Sequence, residues 1–192
     1  MTRWFTSDLH LGHANIIRYS QRPYADVDEM DRDLIARWNA TVAPDDEVWV
    51  LGDVAMGRID ESLLLVRELA GTKLLVPGNH DRCWPGRGEK AAGWAARYVQ
   101  AGFAEVLSVE VDVTLAGRPA RACHFPYYGD SHDEARFESH RPVDDGRLLL
   151  HGHVHTQWRI EGRQVNVGCD VWDYRPVSEA AIAEALQTAD DR

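Results

Sequence analysis

The sequence predicts an α/β fold with mixed sheets, and three observations carry that reading. Short apolar runs at residues 48–51 and 73–76 alternate with stretches of helical apolar spacing, the grammar of buried strands joined by crossover helices. Val109, Val111, Val113 and Leu115 alternate with Glu110, Asp112 and Thr114, a period-two pattern that belongs to a half-exposed strand. The 192 residues, 44% hydrophobic and 27% charged, have the composition of an ordinary globular chain. They contain no repeat, linker or low-complexity tract, so one domain over 1–192 is expected.

The elements follow in order. Residues 3–7 read as a first strand. Asp26 and Glu29 form a D-x-x-E capping box that opens a helix with Met30, Leu34, Ile35 and Trp38 on one face. Pro44-Asp45-Asp46 ends that unit, and residues 48–51 form a strand that delivers Gly52-Asp53 at its end. A helix over about 59–70 stops at Gly71, and a strand over 73–76 runs out through Pro77 into Gly78-Asn79-His80-Asp81. Residues 82–88 read as a loop before an Ala-rich helix near 89–101. Ala116-Gly117-Arg118 turns the alternating strand back toward residues 121–124, residues 148–150 and 164–167 are further strands, and Ser178 opens a final helix to about Leu186.

Charge and composition exclude several classes. With 21 basic and 31 acidic residues the formal charge is −10, which disfavours nucleic acid or an anionic membrane as partner. No apolar stretch approaches the ~18 residues of a membrane helix, and the first residues lack a signal-peptide layout, so a cytoplasmic protein is expected. Cys83, Cys123 and Cys169 are widely spaced with no Cys-x-x-Cys pair and read as packing residues.

Chemistry concentrates in five short segments: Asp8-Leu9-His10, Gly52-Asp53, Gly78-Asn79-His80-Asp81, His124 and Gly152-His153-Val154-His155. Carboxylate, carboxamide and imidazole groups are ligands for Mn, Fe, Zn or Ni, and each segment lies at or just beyond a strand end, where ligands gather in open α/β sheets. A carboxylate can bridge two cations ~3.5–4 Å apart that clamp both oxygens of a phosphoryl displacement, and Asp53 is the bridging candidate. Any one of these segments alone is a weak signal, because a strand-end His is commonly just hydrogen-bonded to a neighbour; five in order are not.

The ordered set D-x-H, G-D, G-N-H-D, a lone His and G-H-x-H over residues 6–155 resembles the calcineurin-like metallophosphoesterase superfamily. The longer pattern, including residues 12–17 and 166–172, resembles its small bacterial and phage branch. The resemblance implies a four-layer α/β/β/α metallophosphoesterase sandwich with two mixed sheets. It implies two transition-metal ions, manganese first with iron, zinc or nickel fitting the same donors: one held by Asp8, His10, Asp53 and His155, the other by Asp53, Asn79, His124 and His153. It also implies a bridging hydroxide as nucleophile and His80 as the general acid on the leaving oxygen, with Asp81 beside it as orienting partner. An imidazole with an unperturbed pKa near ~6.5 suits that task at neutral pH.

The expected function is hydrolysis of a phosphodiester or phosphomonoester of a small molecule, a nucleotide among them. The protein phosphatase branch continues G-D with Asp-Arg-Gly, whereas Asp53 is followed here by Val54-Ala55-Met56-Gly57-Arg58. A metal-dependent nuclease is the alternative enzyme, since Asp8-Leu9-His10-Leu11-Gly12 resembles the DNA-repair members, and a non-catalytic scaffold is the alternative from another class, at odds with retention of His80. His13, Asn15 and Arg18 are candidates for the phosphate pocket, against a plain helix cap and first turn. His132 and Arg136, with His140 and Arg141, lie in the polar segment 129–147, read as a loop over the site against a solvated turn. Tyr127 and Tyr128 stack a base or pack, and His151 is second to the ligands or structural.

Overall fold

The computed structural model describes residues 1–132, 134 and 136–190. In chain order the regular elements are β1 (Arg3–Thr6), α1 (Ala14–Tyr19), α2 (Val27–Asn39), β2 (Glu47–Val50), α3 (Ile59–Ser62), β3 (Thr72–Leu75), α4 (Trp94–Gln100) and β4 (Glu105–Val106). The second half adds β5 (Glu110–Leu115), β6 (Arg118–Cys123), β7 (Leu148–His151), β8 (Ile160–Glu161), β9 (Gln164–Asn166), β10 (Val177–Ser178) and α5 (Glu179–Asp190).

They build two five-stranded mixed sheets, ordered β10-β1-β2-β3-β4 and β5-β6-β7-β9-β8. In the first, β1 to β4 run parallel and β10 pairs antiparallel with β1; in the second, β6, β7 and β9 run parallel between antiparallel neighbours. The arrangement is the α/β/β/α sandwich with two mixed sheets that the resemblance implies. Met30, Leu34 and Trp38 of α2 bury against Val48, Val50 and Leu75 on one side of the first sheet. Phe5, Leu51 and Val76 from its other side meet Leu115, Ala120, Ala122, Leu150 and Val165 between the sheets, with Ile182 of α5 closing the cluster. Over the outside of the second sheet the helical layer is thin: Trp84, Phe125 and Leu149 pack with Phe137, beside the 3₁₀ turn Glu138–His140.

Local chemistry explains most elements. The Asp26 side chain accepts from Glu29 N–H at 2.8 Å, and Glu29 reaches back to Ala25 N–H at 2.7 Å, so the expected reciprocal cap forms one residue wider than its usual form. The helix expected over 59–70 divides: four α residues give way to a 3₁₀ helix, Leu63–Glu68. Buried Leu63, Val66 and Leu69 are three apart, and three residues per turn is the coil that stacks them on one face. Similarly, part of the helix expected near 89–101 is the 3₁₀ segment Pro85–Ala91, broken at Gly88, before α4. Cys83, Cys123 and Cys169 are free and buried, and no helix among the described residues is long and apolar enough to cross a membrane.

Candidate metal centre and active site

The five segments converge where β1, β2, β3, β6 and β7 end. The loops after β1 and β2 continue to pair beyond their strands, through Asp8 N–H to Gly52 C=O and His10 N–H to Asp53 C=O, both 3.0 Å. Ser7 bridges to Gly168, which ties the first sheet's exit loops to those of the second, and Gly152 N–H donates to His124 C=O, which joins the loops after β6 and β7. Glycine is required where these loops touch. Gly52 has φ +88°, and a Cβ there would lie 2.5 Å from Gly78 N, while a Cβ on Gly78 would strike the Asp53 carboxylate. Asp8, His10, Asp53, His153 and His155 all hold left-handed backbone, with φ of 57°, 54°, 55°, 72° and 49°. Such strain gathers at functional sites.

All seven predicted ligand residues are brought together. Asp8, His10 and His155 offer donor atoms within 4.8 Å of one another, and so do Asp8, Asp53 and His124. Asp53 Oδ2 stands between the two groups, 3.7 Å from His10 Nε2 and 3.5 Å from His124 Nε2. Asn79 Oδ1 lies 3.0 Å from His124 Nε2 and 3.1 Å from His153 Nδ1. Three imidazoles have one nitrogen anchored by the protein: His124 Nδ1 to Leu51 C=O at 2.8 Å, His153 Nε2 to Asp130 at 3.2 Å, and His155 Nδ1 to Asp170 at 2.9 Å. Anchoring one nitrogen fixes the tautomer and leaves the other as a ligand.

The electrostatics suit cations. Asp8 Oδ1 and His10 Nε2 are buried with no hydrogen-bond partner among the described residues, and a buried group left unpaired is costly. A bound divalent ion would satisfy both, so these residues fit the metal. Burial, then the charge of His155, hold His10 well below the usual imidazole range; burial and His124 push His153 down to about 3. Both are therefore neutral electron-pair donors at pH 7. Burial raises the Asp8 carboxyl, whereas for Asp53 burial is outweighed by His124 and His80, which lower it.

His80 sits at the edge of this cluster with its side chain 41% exposed and its Nε2 4.0 Å from Asp53 Oδ2. Its N–H donates to Asp53 Oδ1 at 2.8 Å, so backbone and ring both face the bridging candidate. Asp81 does not orient it, contrary to the sequence expectation. The Asp81 carboxylate turns inward and accepts from Asp53 N–H (2.9 Å), Val54 N–H (3.1 Å), Gly78 N–H (2.8 Å) and Tyr98 Oη–H (3.2 Å). It pins the G-D loop to the G-N-H-D loop. Burial and the Asp53 charge push it up to about 6, against the donors of Gly78 and Val54.

A cavity of about 520 Å³ opens over the cluster, lined by His13, His132 and Arg136 among others. Asn15 and Arg18 are not part of its lining, which corrects the sequence expectation. Ile16 of α1 and Ser20 just after it, one turn apart, are buried toward the cavity, whereas Asn15 and Arg18, three apart, are exposed on another face, with the Arg18 guanidinium 5.2 Å over the Tyr19 ring. Tyr127 and Tyr128 lie outside the lining as well, their N–H groups donating to Gln164. His151 is buried behind the G-H-x-H loop, burial lowering it to about 4.

Three residues of this site escaped the sequence reading. Asp130 grips His153 and is itself held by Arg136 Nη2 at 2.8 Å and Arg141 Nη2 at 3.5 Å. Asp170 grips His155 and pairs with Arg22 Nε at 2.8 Å; neither side chain of that pair touches solvent. Arg22 also donates to Asp8 C=O at 2.6 Å and Leu9 C=O at 2.9 Å, which holds the first loop in place.

The comparisons with known proteins agree with this geometry. The family profile described as calcineurin-like phosphoesterase matches residues 1–157. The Gene 66 protein of Mycobacterium phage L5 is 34% identical over 181 residues, 88% of this chain and 86% of that protein. Its counterpart in Mycobacterium phage D29 is 36% identical over 189 residues, 92% of each. A solved structure of a protein of unknown function from Aquifex aeolicus shares the fold, with a TM-score of 0.71 over 96% of this chain and 98% of that one at 24% identity. By sequence and by the side chains gathered at its strand ends, this chain belongs to the calcineurin-like phosphoesterase family and is a metal-dependent phosphoric ester hydrolase.

Proposed function

We propose that the chain hydrolyses a phosphodiester or phosphomonoester of a small phosphorylated molecule, a nucleotide being the favoured case, at a two-metal centre. The observation that carries this reading is the pair of buried, unpartnered atoms Asp8 Oδ1 and His10 Nε2, set around Asp53 with three protein-anchored imidazoles. Asp8, His10, Asp53 and His155 would hold one ion, and Asp53, Asn79, His124 and His153 the other. Manganese is the first choice for this mixed N/O set, with iron, zinc or nickel also suited. When bound, such ions supply Lewis acidity and a nucleophile available at neutral pH.

The chain's own residues do the rest. His80, half open to the cavity and tied by its N–H to Asp53, gives its proton to the departing oxygen as the P–O bond breaks. Asp81 keeps the Asp53 and His80 loops in register. His13, His132 and Arg136 line the cavity where phosphoryl oxygens would lie, the Arg136 guanidinium fixed there through Nε and Nη2 by Asp130. The net charge of −10 favours a small substrate over a nucleic acid, in a cytoplasmic enzyme.

The test is turnover of bis-p-nitrophenyl phosphate and p-nitrophenyl phosphate with Mn²⁺ present. His80→Ala is expected to keep its bound metal, measured by elemental analysis, while turnover falls by about 10²–10⁴-fold. Absence of turnover on both esters defeats the reading, and loss of metal from the variant would make His80 a ligand instead.

A further inference from the structure

We propose that the hollow beyond His80 is a second anion subsite, built by Arg82 and Arg87, which takes a phosphate or similar oxyanion carried on the substrate's leaving group. The inference rests on the reading of His80 as the residue that protonates the leaving oxygen.

A separate cavity of about 110 Å³ lies beside the main one, lined by Ala55, Met56, Gly57, Ile59, His80, Arg82 and Arg87. Met56 and His80 line both cavities, so the imidazole stands in the wall between them. A water occupies ~30 Å³ of the liquid, which leaves room here for a tetrahedral oxyanion. The wall offers no carboxylate. Its two charged side chains are both guanidinium groups, and the rest is apolar or glycine apart from His80.

Neither arginine has its charge answered by a carboxylate of the described residues. Arg97 is held by Asp60 and Arg58 by Glu61, but Arg82 and Arg87 join no ion pair among the described residues. Arg87 Nε is buried with no hydrogen-bond partner among the described residues, and Nη1 makes one long contact, 3.5 Å to Asn79 C=O. Arg82 is anchored through its N–H to Tyr98 Oη at 3.0 Å and lies 6.0 Å from the Trp94 ring. A buried donor of a charged group left unpaired is costly, and a guanidinium fork matches an oxyanion. Two such groups facing a hollow, in a chain of net charge −10, mark where an anion belongs.

Position then names the part of the substrate concerned. The ligand cluster and the main cavity lie on one side of His80, where the phosphoryl group to be attacked would sit. The second anion therefore lies on the far side of the proton donor, attached to the departing alcohol. The substrate class becomes a small molecule with two phosphate groups, one cleaved and one held.

A matched pair tests this on the Mn²⁺-loaded protein: adenosine 5′-monophosphate and adenosine 3′,5′-bisphosphate as inhibitors of bis-p-nitrophenyl phosphate hydrolysis. The bisphosphate is expected to bind about tenfold or more tightly, the value of one charged hydrogen bond or better. In the Arg82→Gln/Arg87→Gln variant that ratio should collapse to within about twofold, whereas Arg58→Gln, which removes a paired surface charge, should retain it. A wild-type ratio near one, or a ratio retained in the double variant, overturns the subsite. Should the double variant fail to fold, the wild-type ratio and Arg82→Gln alone decide. If the reporter ester is not turned over, the proposed function fails, and calorimetric titration with the same pair still measures the ratio without catalysis.

Discussion

Asp170→Asn should destabilise the protein far more than its surface counterpart, and the comparison measures what holds the first metal-binding loop. Arg22 and Asp170 contact each other at 2.8 Å with both side chains at 0% exposure, so neutralising the carboxylate leaves a buried guanidinium without its counter-ion. Breaking one side of a buried pair typically costs about 3–5 kcal/mol. Asparagine keeps one acceptor oxygen, which places the expected loss near ~3 kcal/mol. For a chain of this length each kcal/mol moves the melting point by about 2–4 °C, so a fall of about 6–12 °C follows. Arg37 and Asp33 make an even closer contact, 2.5 Å, but with side chains 35% and 32% exposed, and Asp33→Asn should cost under ~1 kcal/mol. Thermal melts of both variants with EDTA present remove any contribution from bound ions. Equal melting points for the two variants would refute the claim that burial, rather than contact distance, sets the value of the pair. The pH dependence has a definite sign as well. Burial raises Asp170, but Arg22 and His155 outweigh it and hold the carboxyl below its usual range. Its stabilisation is therefore present above the ordinary aspartate value and is lost as pH falls through the lowered folded value; Asp170→Asn should show a shallower acid limb.

Asp53→Asn should weaken both ions together, because a neutral amide cannot supply the shared negative charge; unchanged two-ion occupancy by elemental analysis would contradict the bridging role. Asp130→Asn should weaken one ion by about 10–100-fold, the usual effect of removing a ligand's outer partner, and leave the other nearly unchanged in a stepwise metal titration. An equal loss of both would mean that Asp130 supports the loop rather than His153. Asp31 gives a pH effect of opposite sign: burial, then the Asp28 charge, push it up to about 6 against the Gly12 N–H that it accepts. Its contribution is fully present below the ordinary aspartate value and is lost as pH rises through about 6. Asp31→Asn should flatten denaturant stability between pH 4 and 7, and an unchanged profile would show that the carboxyl ionises freely in the fold.

Much of the architecture was legible because it rests on local patterns. Alternation over 109–115, the apolar runs around Val50 and Leu75, and the Asp26 cap each specify their own element, and each appears within a residue or two. The two-residue strands β4, β8 and β10 were not legible. Glu105–Val106 and Val177–Ser178 become strands because β3 and β1 offer edges to pair with, a property of the partner and not of the dipeptide. The 3₁₀ helix at Leu63–Glu68 was visible in principle, since Leu63, Val66 and Leu69 keep a period of three, but over so short a window that pattern reads equally as an α-helix face.

The site divides along the same line. Ligands arrive as short punctuated motifs because two of them, Asp8 with His10 and His153 with His155, come from positions two apart at strand ends. Holding both members of such a pair toward one centre takes left-handed backbone at all four residues, as well as at Asp53. At about 1–3 kcal/mol for each strained position, no loop would keep that shape unaided. The supports that keep it are Asp81 under three backbone N–H groups, Arg22 under the carbonyls of Asp8 and Leu9, and Asp130 and Asp170 behind the imidazoles. Asp170 stands 15 residues from His155 and 148 from Arg22, and a lone residue at such distances leaves no spacing signature. Motifs thus reveal the groups that do the chemistry, because several of those stand within a few residues of one another at strand ends, while the residues that hold them in a strained conformation become visible only once the sheets have brought them together.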